Sequence, residues 1–277
     1  MPERGLVNRI IPFSYVDGPG NRSAIFFQGC DFRCRYCHNP ETQNLCIACG
    51  ACVSVCPVQA LSMKDGKVVW DSAVCVGCDA CIQTCRNYSS PKVRRMTAEE
   101  ILEEIGSSLP FIEGITVSGG ECTRYHTFIA ELFRKAHSLG KTCFVDTNGQ
   151  TDFRQMPELA AEMNMAMLDV KAFDSDYHRM LTGCGNDVVL QNLSYLAEIG
   201  KLYEVRTVIV PGYLDNEDTV RQVSRILAQR PQIRYKLIQY RPWGVRPSMD
   251  VEPPTAAYME KLATLARASG VEKVVCT

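Results

Sequence analysis

Gly29-Cys30-Asp31-Phe32-Arg33-Cys34-Arg35-Tyr36-Cys37-His38-Asn39-Pro40 is the stretch on which the reading of this chain turns. Its cysteines fall as Cys30-x3-Cys34-x2-Cys37, just after an apolar run, Ser23–Gln28, that reads as a strand. Two more runs follow, Cys46-x2-Cys49-x2-Cys52-x3-Cys56-Pro57 and Cys75-x2-Cys78-x2-Cys81-x3-Cys85. Eleven of the 15 cysteines lie in these three runs. Thiolates so spaced suit iron–sulfur ligation, and the second and third runs carry the bacterial ferredoxin spacing. The first run offers three thiolates where a four-iron cluster has four irons. One iron is left to bind something that is not protein. That run therefore reads as chemistry, and the other two read as wiring.

Other uses of the cysteines fit less well. A disulfide framework belongs to small secreted chains. Here the cysteines cluster at metal-ligand spacing in 277 residues with no export signal. Zinc takes four ligands, often as two pairs, and gives no reason for two matched runs of four. Cys122, Cys143, Cys184 and Cys276 lie outside the runs and read as structural, as do His126 and His137. Apolar residues make up 46% and charged residues 22%, the balance of a globular protein. A formal net charge of −1 and a pI near 6.4 give no basic surface for nucleic acid. No apolar run is long enough to span a bilayer, so a cytoplasmic protein is the expectation, and a monomer is expected.

The segment 45–89 is cysteine-dense and lacks helical periodicity. Its two four-cysteine runs form an internal repeat of about 29 residues. Asp65-Gly66 between Leu61-Ser62-Met63 and Val68-Val69-Trp70 predicts a hairpin. We read 45–89 as a ferredoxin-like α+β insert, and 1–44 with 90–277 as the host domain. The host alternates strand and helix. Strands are expected at Ser23–Gln28, Ile115–Ser118, Thr142–Asp146, Met165–Val170, Glu204–Val210 and Arg234–Gln239. Thr97-x2-Glu100 is a capping box opening a helix. Further helices are expected near Arg124–Ser138, Pro157–Met163, Asp187–Ile199, Asp215–Gln229 and Thr255–Ala268. Repeated βα units imply α/β architecture with a parallel sheet. Six units are too few for a closed eight-stranded barrel, so a partial (β/α)6 TIM-like barrel is expected.

Chemistry-bearing residues recur just after these strands. They are the cysteine triad, Ser118-Gly119-Gly120-Glu121, Asp146-Thr147-Asn148-Gly149, Asp169-Val170-Lys171 and Tyr240-Arg241, with Arg206 on the fifth strand. Taken together they resemble the radical SAM superfamily. Cys30-x3-Cys34-x-Tyr36-Cys37 is similar to its cluster motif. Asp17-Gly18-Pro19-Gly20, Gly29-Cys30 and Cys37-His38-Asn39-Pro40 resemble the activating enzymes of glycyl radical enzymes. The paired ferredoxin runs narrow the resemblance to activases with two extra clusters. Ile10-Ile11-Pro12-Phe13-Ser14 and Phe111-Ile112-Glu113-Gly114-Ile115 are most similar to YjjW-type activases.

The resemblance implies an anaerobic oxidoreductase with three [4Fe–4S] clusters. S-adenosylmethionine (SAM) binds the open iron and is cleaved to methionine and a 5′-deoxyadenosyl radical. The radical takes a hydrogen atom from a glycine Cα of a partner glycyl radical protein. A flavodoxin or ferredoxin-type donor supplies the electron. Cys30, Cys34, Cys37 and Lys171 are implied as catalytic. Tyr36, His38, Gly119, Gly120, Glu121, Asp146, Asp169, Val170, Lys171, Ala172 and Arg206 are implied around SAM. Asp17 and Gly18 are implied at the partner peptide. Positions matching Asp146, Thr147, the Met167 carbonyl and Asp169 are implied to hold a monovalent cation, for which oxygen ligands are suitable. By the ferredoxin pattern, Cys46, Cys49, Cys52 and Cys85 share one insert cluster, and Cys56, Cys75, Cys78 and Cys81 the other. Arg86 stands where the pattern has proline.

Alternatives stay open residue by residue. Gly119-Gly120 also suits a tight turn, Glu121 a loop support, and Asp17-Gly18-Pro19-Gly20 an ordinary turn. Arg241 stands where many activases place a SAM-contacting histidine. It is expected to reach SAM or the peptide, with a rim arginine or an ion-paired one as rivals. At the level of function, the rivals are a radical SAM enzyme acting on a small molecule and a ferredoxin-type carrier without catalysis. The first has no use for a peptide-binding Asp-Gly-Pro-Gly turn, and the second needs neither the triad nor so large a host domain.

Overall fold

The computed structural model describes residues 3–277. In chain order the elements are β1 (Gly5–Ser14), β2 (Arg22–Phe27), β3 (Leu61–Lys64), β4 (Lys67–Trp70), α1 (Ala80–Thr84), β5 (Arg94–Met96) and α2 (Ala98–Glu104). Then follow β6 (Gly114–Gly119), α3 (His126–Ser138), β7 (Thr142–Thr147), α4 (Pro157–Glu162), β8 (Met165–Asp169), α5 (Ser175–Thr182) and α6 (Asp187–Glu198). The chain ends with β9 (Leu202–Ile209), α7 (Asn216–Leu227), β10 (Arg234–Gln239), α8 (Ala256–Ala268) and β11 (Lys273–Cys276).

One nine-stranded sheet runs in the order β11-β10-β9-β8-β7-β6-β2-β1-β5. From β2 through β6 to β11 every neighbouring pair is parallel. Only β1 runs against its neighbours β2 and β5. The sheet is open, with β5 and β11 at its edges. The six expected strands are present, and β1, β5 and β11 are additional. β1 escapes a periodicity reading because Asn8, Arg9 and Pro12 interrupt its apolar residues. The helix α5 was also unexpected. It is short and polar, and its start is fixed by the Asp174 carboxylate, which accepts from the Asp176 and Tyr177 amides at 2.9 Å each. The capping box of α2 is complete: Thr97 Oγ1 accepts from the Glu100 amide at 3.2 Å, and Glu100 Oε2 from the Thr97 amide at 2.9 Å.

Strand side chains alternate between two environments. Ile115, Val117, Cys143, Val145, Ala166, Leu168, Val205 and Leu237 join the main core, together with Phe128, Leu132, Leu193, Val223 and Leu262 of the helices. Full burial of each large aliphatic or aromatic chain contributes roughly 1.5–3 kcal/mol. The residues between them, including Thr116, Ser118, Asp146, Asp169, Glu204 and Arg206, point to the opposite, inner face. Period-two alternation thus places apolar groups under the helices and polar groups where the strands end.

Within 45–89, β3 and β4 form a separate antiparallel pair. Asp65 and Gly66 both have positive φ, 48° and 69°, as the turn of a two-residue hairpin requires. Cys52, Leu61 and Cys81 form a small apolar cluster of their own, against Val53, Val68 and Trp70. Arg246 Nη1 donates to the Ile82 carbonyl at 2.7 Å, tying the segment after β10 to this region.

Candidate active site

The C-terminal ends of β2 and β6 through β9 surround a cavity of about 280 Å³. Cys30, Cys34 and Cys37 line it together. Their loop leaves β2 at Gly29, whose φ of 100° a side chain would strain. The backbone then fixes it along its length. The Gly29 and Cys30 amides donate to the Thr42 and Gln43 carbonyls at 2.7 and 3.0 Å, and the Arg33 and Arg35 amides to Thr182 and Leu181 at 2.8 and 3.0 Å. Asn148 Nδ2 donates to the Cys30 sulfur at 3.5 Å. Burial pushes the Cys30 and Cys34 thiols up to about 12; Glu121 adds to the rise at Cys30, whereas Lys171 works against it at Cys34. Burial raises Cys37 as well. Thiolates in this setting call for a bound cation.

Gly119 and Gly120 both line the cavity, yet their missing side chains have a packing cause. A Cβ on Gly119 would lie 2.2 Å from the Phe27 carbonyl oxygen, and one on Gly120 2.4 Å from that of Gly29. The glycines let β6 pass tight against β2 and the cysteine loop. Glu121 corrects its expected place beside a ligand. It is 1% exposed and outside the cavity lining. Its carboxylate accepts from the Asn148 amide (2.8 Å), the Thr123 amide (3.0 Å) and the Thr123 and Thr147 hydroxyls (2.7 and 2.8 Å). Burial raises its pKa against the pull of these donors. It staples the loop after β6 to the loop after β7. Glu121→Ala is expected to strand several buried donors and cost roughly 3 kcal/mol or more, read as a drop in thermal stability. A loss below about 1 kcal/mol would contradict the staple.

The charged side chains at the cavity are paired. Lys171 Nζ lies 2.8 Å from Asp169 Oδ2 and 5.5 Å from the centre of the Tyr36 ring. Burial alone disfavours its charge, but Asp169, Tyr36 and Cys34 together hold its pKa well above the usual value. Asp146 Oδ2 accepts from Ser118 Oγ at 2.9 Å, and its Oδ1 from Arg206 Nη1 at 3.0 Å. Burial raises the Asp146 pKa and Arg206 opposes the rise. The Tyr36 hydroxyl is buried without a protein partner. His38 Nε2 meets the Arg241 carbonyl at 2.8 Å.

Three more residues expected around the ligand do not line the cavity. Val170 is fully buried in the main core, with its amide on the Arg206 carbonyl and its own carbonyl on Thr207. It lies between Asp169 and Lys171, so in an extended chain it faces the helices. Ala172 is 2% exposed and outside the cavity lining. The Arg241 side chain is exposed and does not line the cavity, and its contribution is the backbone carbonyl that meets His38. Arg241→Ala is therefore expected to keep affinity for SAM, the ligand that the resemblance implies, within about twofold; a tenfold loss in equilibrium binding would place the Arg241 side chain at the ligand.

Asp17 and Gly18 sit in the β1–β2 loop, at the far end of β2 from the cysteines. The Asp17 carboxylate accepts from Ser14 Oγ, and its carbonyl from Thr116 Oγ1 at 2.6 Å. Thr116 and Ser118 are successive inner-face residues of β6, roughly 7 Å apart, so Asp17 stands one pleat repeat from the Asp146 cluster. Ser118 and Asn148 belong to motifs already singled out in the sequence, without roles of their own, and the structure gives them contacts to Asp146 and Cys30. Glu204 is the residue missed in the sequence, and it falls on the inner face simply by lying two residues before Arg206.

Two smaller clefts lie in the cysteine-dense segment. Cys46, Cys49, Cys52 and Cys85 line one, and Cys56, Cys75, Cys78 and Cys81 line the other. Among the described residues no three His, Cys, Asp or Glu side chains converge tightly enough to share one metal ion. No helix among them is long and apolar enough to cross a membrane.

The family model of the radical SAM superfamily matches residues 24–223. A choline trimethylamine-lyase activating enzyme of Oleidesulfovibrio alaskensis is 33% identical, over 87% of this chain and 85% of the relative. A protein of Haemophilus influenzae described as a putative glycyl-radical enzyme activating enzyme is 29% identical, over 97% of this chain and 95% of the relative. Among solved structures, QueE from Escherichia coli matches in fold, with a TM-score of 0.58 at 14% identity over 99% of this chain and 94% of the other.

Proposed function

We propose a specific reading of the cavity and clefts, on the premise that this chain belongs to the radical SAM superfamily and, within it, to the glycyl-radical-enzyme activating enzymes. The activity of that family is reductive cleavage of SAM at a [4Fe–4S] cluster, giving a 5′-deoxyadenosyl radical that abstracts hydrogen from a glycine of a partner protein. The observation that carries the reading of the site is that Cys30, Cys34 and Cys37 line one cavity together with paired Lys171–Asp169 and Arg206–Asp146. Three thiols that share a cavity without converging on a point suit a cluster, in which each ligand takes its own iron. The cluster and SAM supply the radical chemistry when bound.

The chain's own residues bind, orient and enclose. Lys171 and Arg206 present positive charge, and Asp169 and Asp146 accept from an ammonium group or a small cation. The unpartnered Tyr36 hydroxyl is available to a ligand atom. Asp17 and Gly18, one pleat away along the inner face, are suited to an extended glycine-bearing segment entering from the far end.

The segment 45–89 is read as a ferredoxin-like insert with two further clusters. Support comes from the thiols that share each cleft, since each cleft combines cysteines from both runs, the crossed arrangement of the ferredoxin pattern. The Cys85 cleft adjoins the site. Asn44 Nδ2 donates to the Asn87 carbonyl at 2.9 Å, Arg33 Nη2 to Asn44 Oδ1 at 2.8 Å, and Arg33 Nη1 to the Cys30 carbonyl. An electron from a flavodoxin or ferredoxin-type donor is thus led from insert to triad. The experiment is anaerobic reconstitution with iron and sulfide, then SAM and dithionite, with 5′-deoxyadenosine measured. An electron carrier without catalysis makes none.

A further inference from the structure

Glu204 is a carboxylate with 0% exposure, on the inner face of β9 and two residues before Arg206. Its Oε1 accepts from Arg206 Nε at 2.6 Å, and its Oε2 from Arg234 Nε. Arg234 is held in turn against the Tyr203 ring, 5.0 Å from its centre, and Tyr203 packs edge-on to Phe144. A string of alternating charge, Asp146–Arg206–Glu204–Arg234, therefore crosses from β7 to β10 beneath the cavity.

Arg206 is the arginine of the string that lines the cavity, and one of its donors lacks an oxygen partner. Nε is on Glu204 and Nη1 on Asp146, while Nη2 has only the Met167 sulfur at 2.8 Å, a weak acceptor. An arginine on a cavity wall has many rotamers, and fixing it costs a ligand affinity. Here Glu204 anchors the Nε edge from behind, and the planar fork then sets where Nη2 lies.

We infer that Glu204 is a positioning residue for SAM recognition. It holds Arg206 so that Nη2 meets an anionic oxygen of the ligand, with Arg234 fixing Glu204 from the far side. The inference rests on the reading of the cavity as the SAM site. Neither Glu204 nor Arg234 touches the ligand.

The test uses the reconstituted full chain, with SAM binding measured by equilibrium dialysis without reductant, followed by steady-state 5′-deoxyadenosine formation. Glu204→Ala is expected to weaken SAM binding about tenfold or more. It should raise KM for SAM with kcat at saturation within about twofold, and leave the iron content unchanged. Glu204→Gln keeps an acceptor for Nε and should lose less than Glu204→Ala. Arg234→Gln, which leaves Glu204 and Arg206 in place, should weaken binding about threefold and covers the case in which Glu204→Ala does not fold. SAM affinity within twofold of the parent in both Glu204→Gln and Arg234→Gln would overturn the inference, as would a lower kcat at unchanged KM. If the parent itself binds no SAM, the reading of the cavity fails first and this inference with it.

Discussion

Cys34→Ala protein is expected to form no 5′-deoxyadenosine above background, and to retain about eight iron atoms per chain where the parent holds about twelve. The first number follows from ligation. On the proposed reading three protein thiolates hold the site cluster, and the loop offers no fourth, so loss of one leaves two. Backbone anchoring of the loop at Thr42, Gln43, Leu181 and Thr182 means that the fold survives the change. The second number follows from separation, because the insert thiols line clefts of their own. Iron analysis and product chromatography check both. Full SAM cleavage by Cys34→Ala protein would remove the triad from the mechanism. Retention of twelve irons with activity lost would mean that Cys34 acts in some other way.

If the proposed two further clusters occupy the clefts of 45–89, substituting one cysteine from each cleft should separate them. Cys85→Ser and Cys56→Ser are each expected to lower iron to about eight per chain. With dithionite, a small reductant that reaches the site cluster directly, both should keep most of their SAM cleavage. With a protein donor, Cys85→Ser should lose the larger share. Its cleft leads through Asn87, Asn44 and Arg33 to the Cys30 loop, and the path is broken there. The crossing is checked by the double variant Cys49→Ser/Cys85→Ser. Two cysteines on one cluster should cost no more iron than either alone. If the double variant loses two clusters, Cys49 and Cys85 serve different ones.

The parallel sheet was legible because buried strands write themselves as short apolar runs, as Ile115–Ser118 and Met165–Val170 do. The insert hairpin was legible through Asp65-Gly66, a pair whose backbone freedom the turn needs. The cysteines were the clearest signal, since spacing along the chain limits which thiols can meet. Less legible was anything set by the direction of a side chain. Val170 lies between two inward residues, so strand alternation alone places it outward. The same alternation puts Glu204 beside Arg206. Glu121 is different: its role depends on donors from Thr123, Thr147 and Asn148, which only the fold brings together. Arg241 shows the same dependence on direction. Its carbonyl reaches His38, and its guanidinium stays in water. Edge strands β5 and β11 carry too few buried residues to show a period.

The most direct test is electron paramagnetic resonance on reconstituted enzyme mixed anaerobically with reductant, SAM and a candidate glycyl radical protein. The account predicts a glycine-centred radical on the partner, formed together with 5′-deoxyadenosine and absent when Cys34→Ala enzyme is used. Formation of 5′-deoxyadenosine with a small-molecule substrate as its hydrogen source, and no radical on any glycyl radical partner, would contradict it.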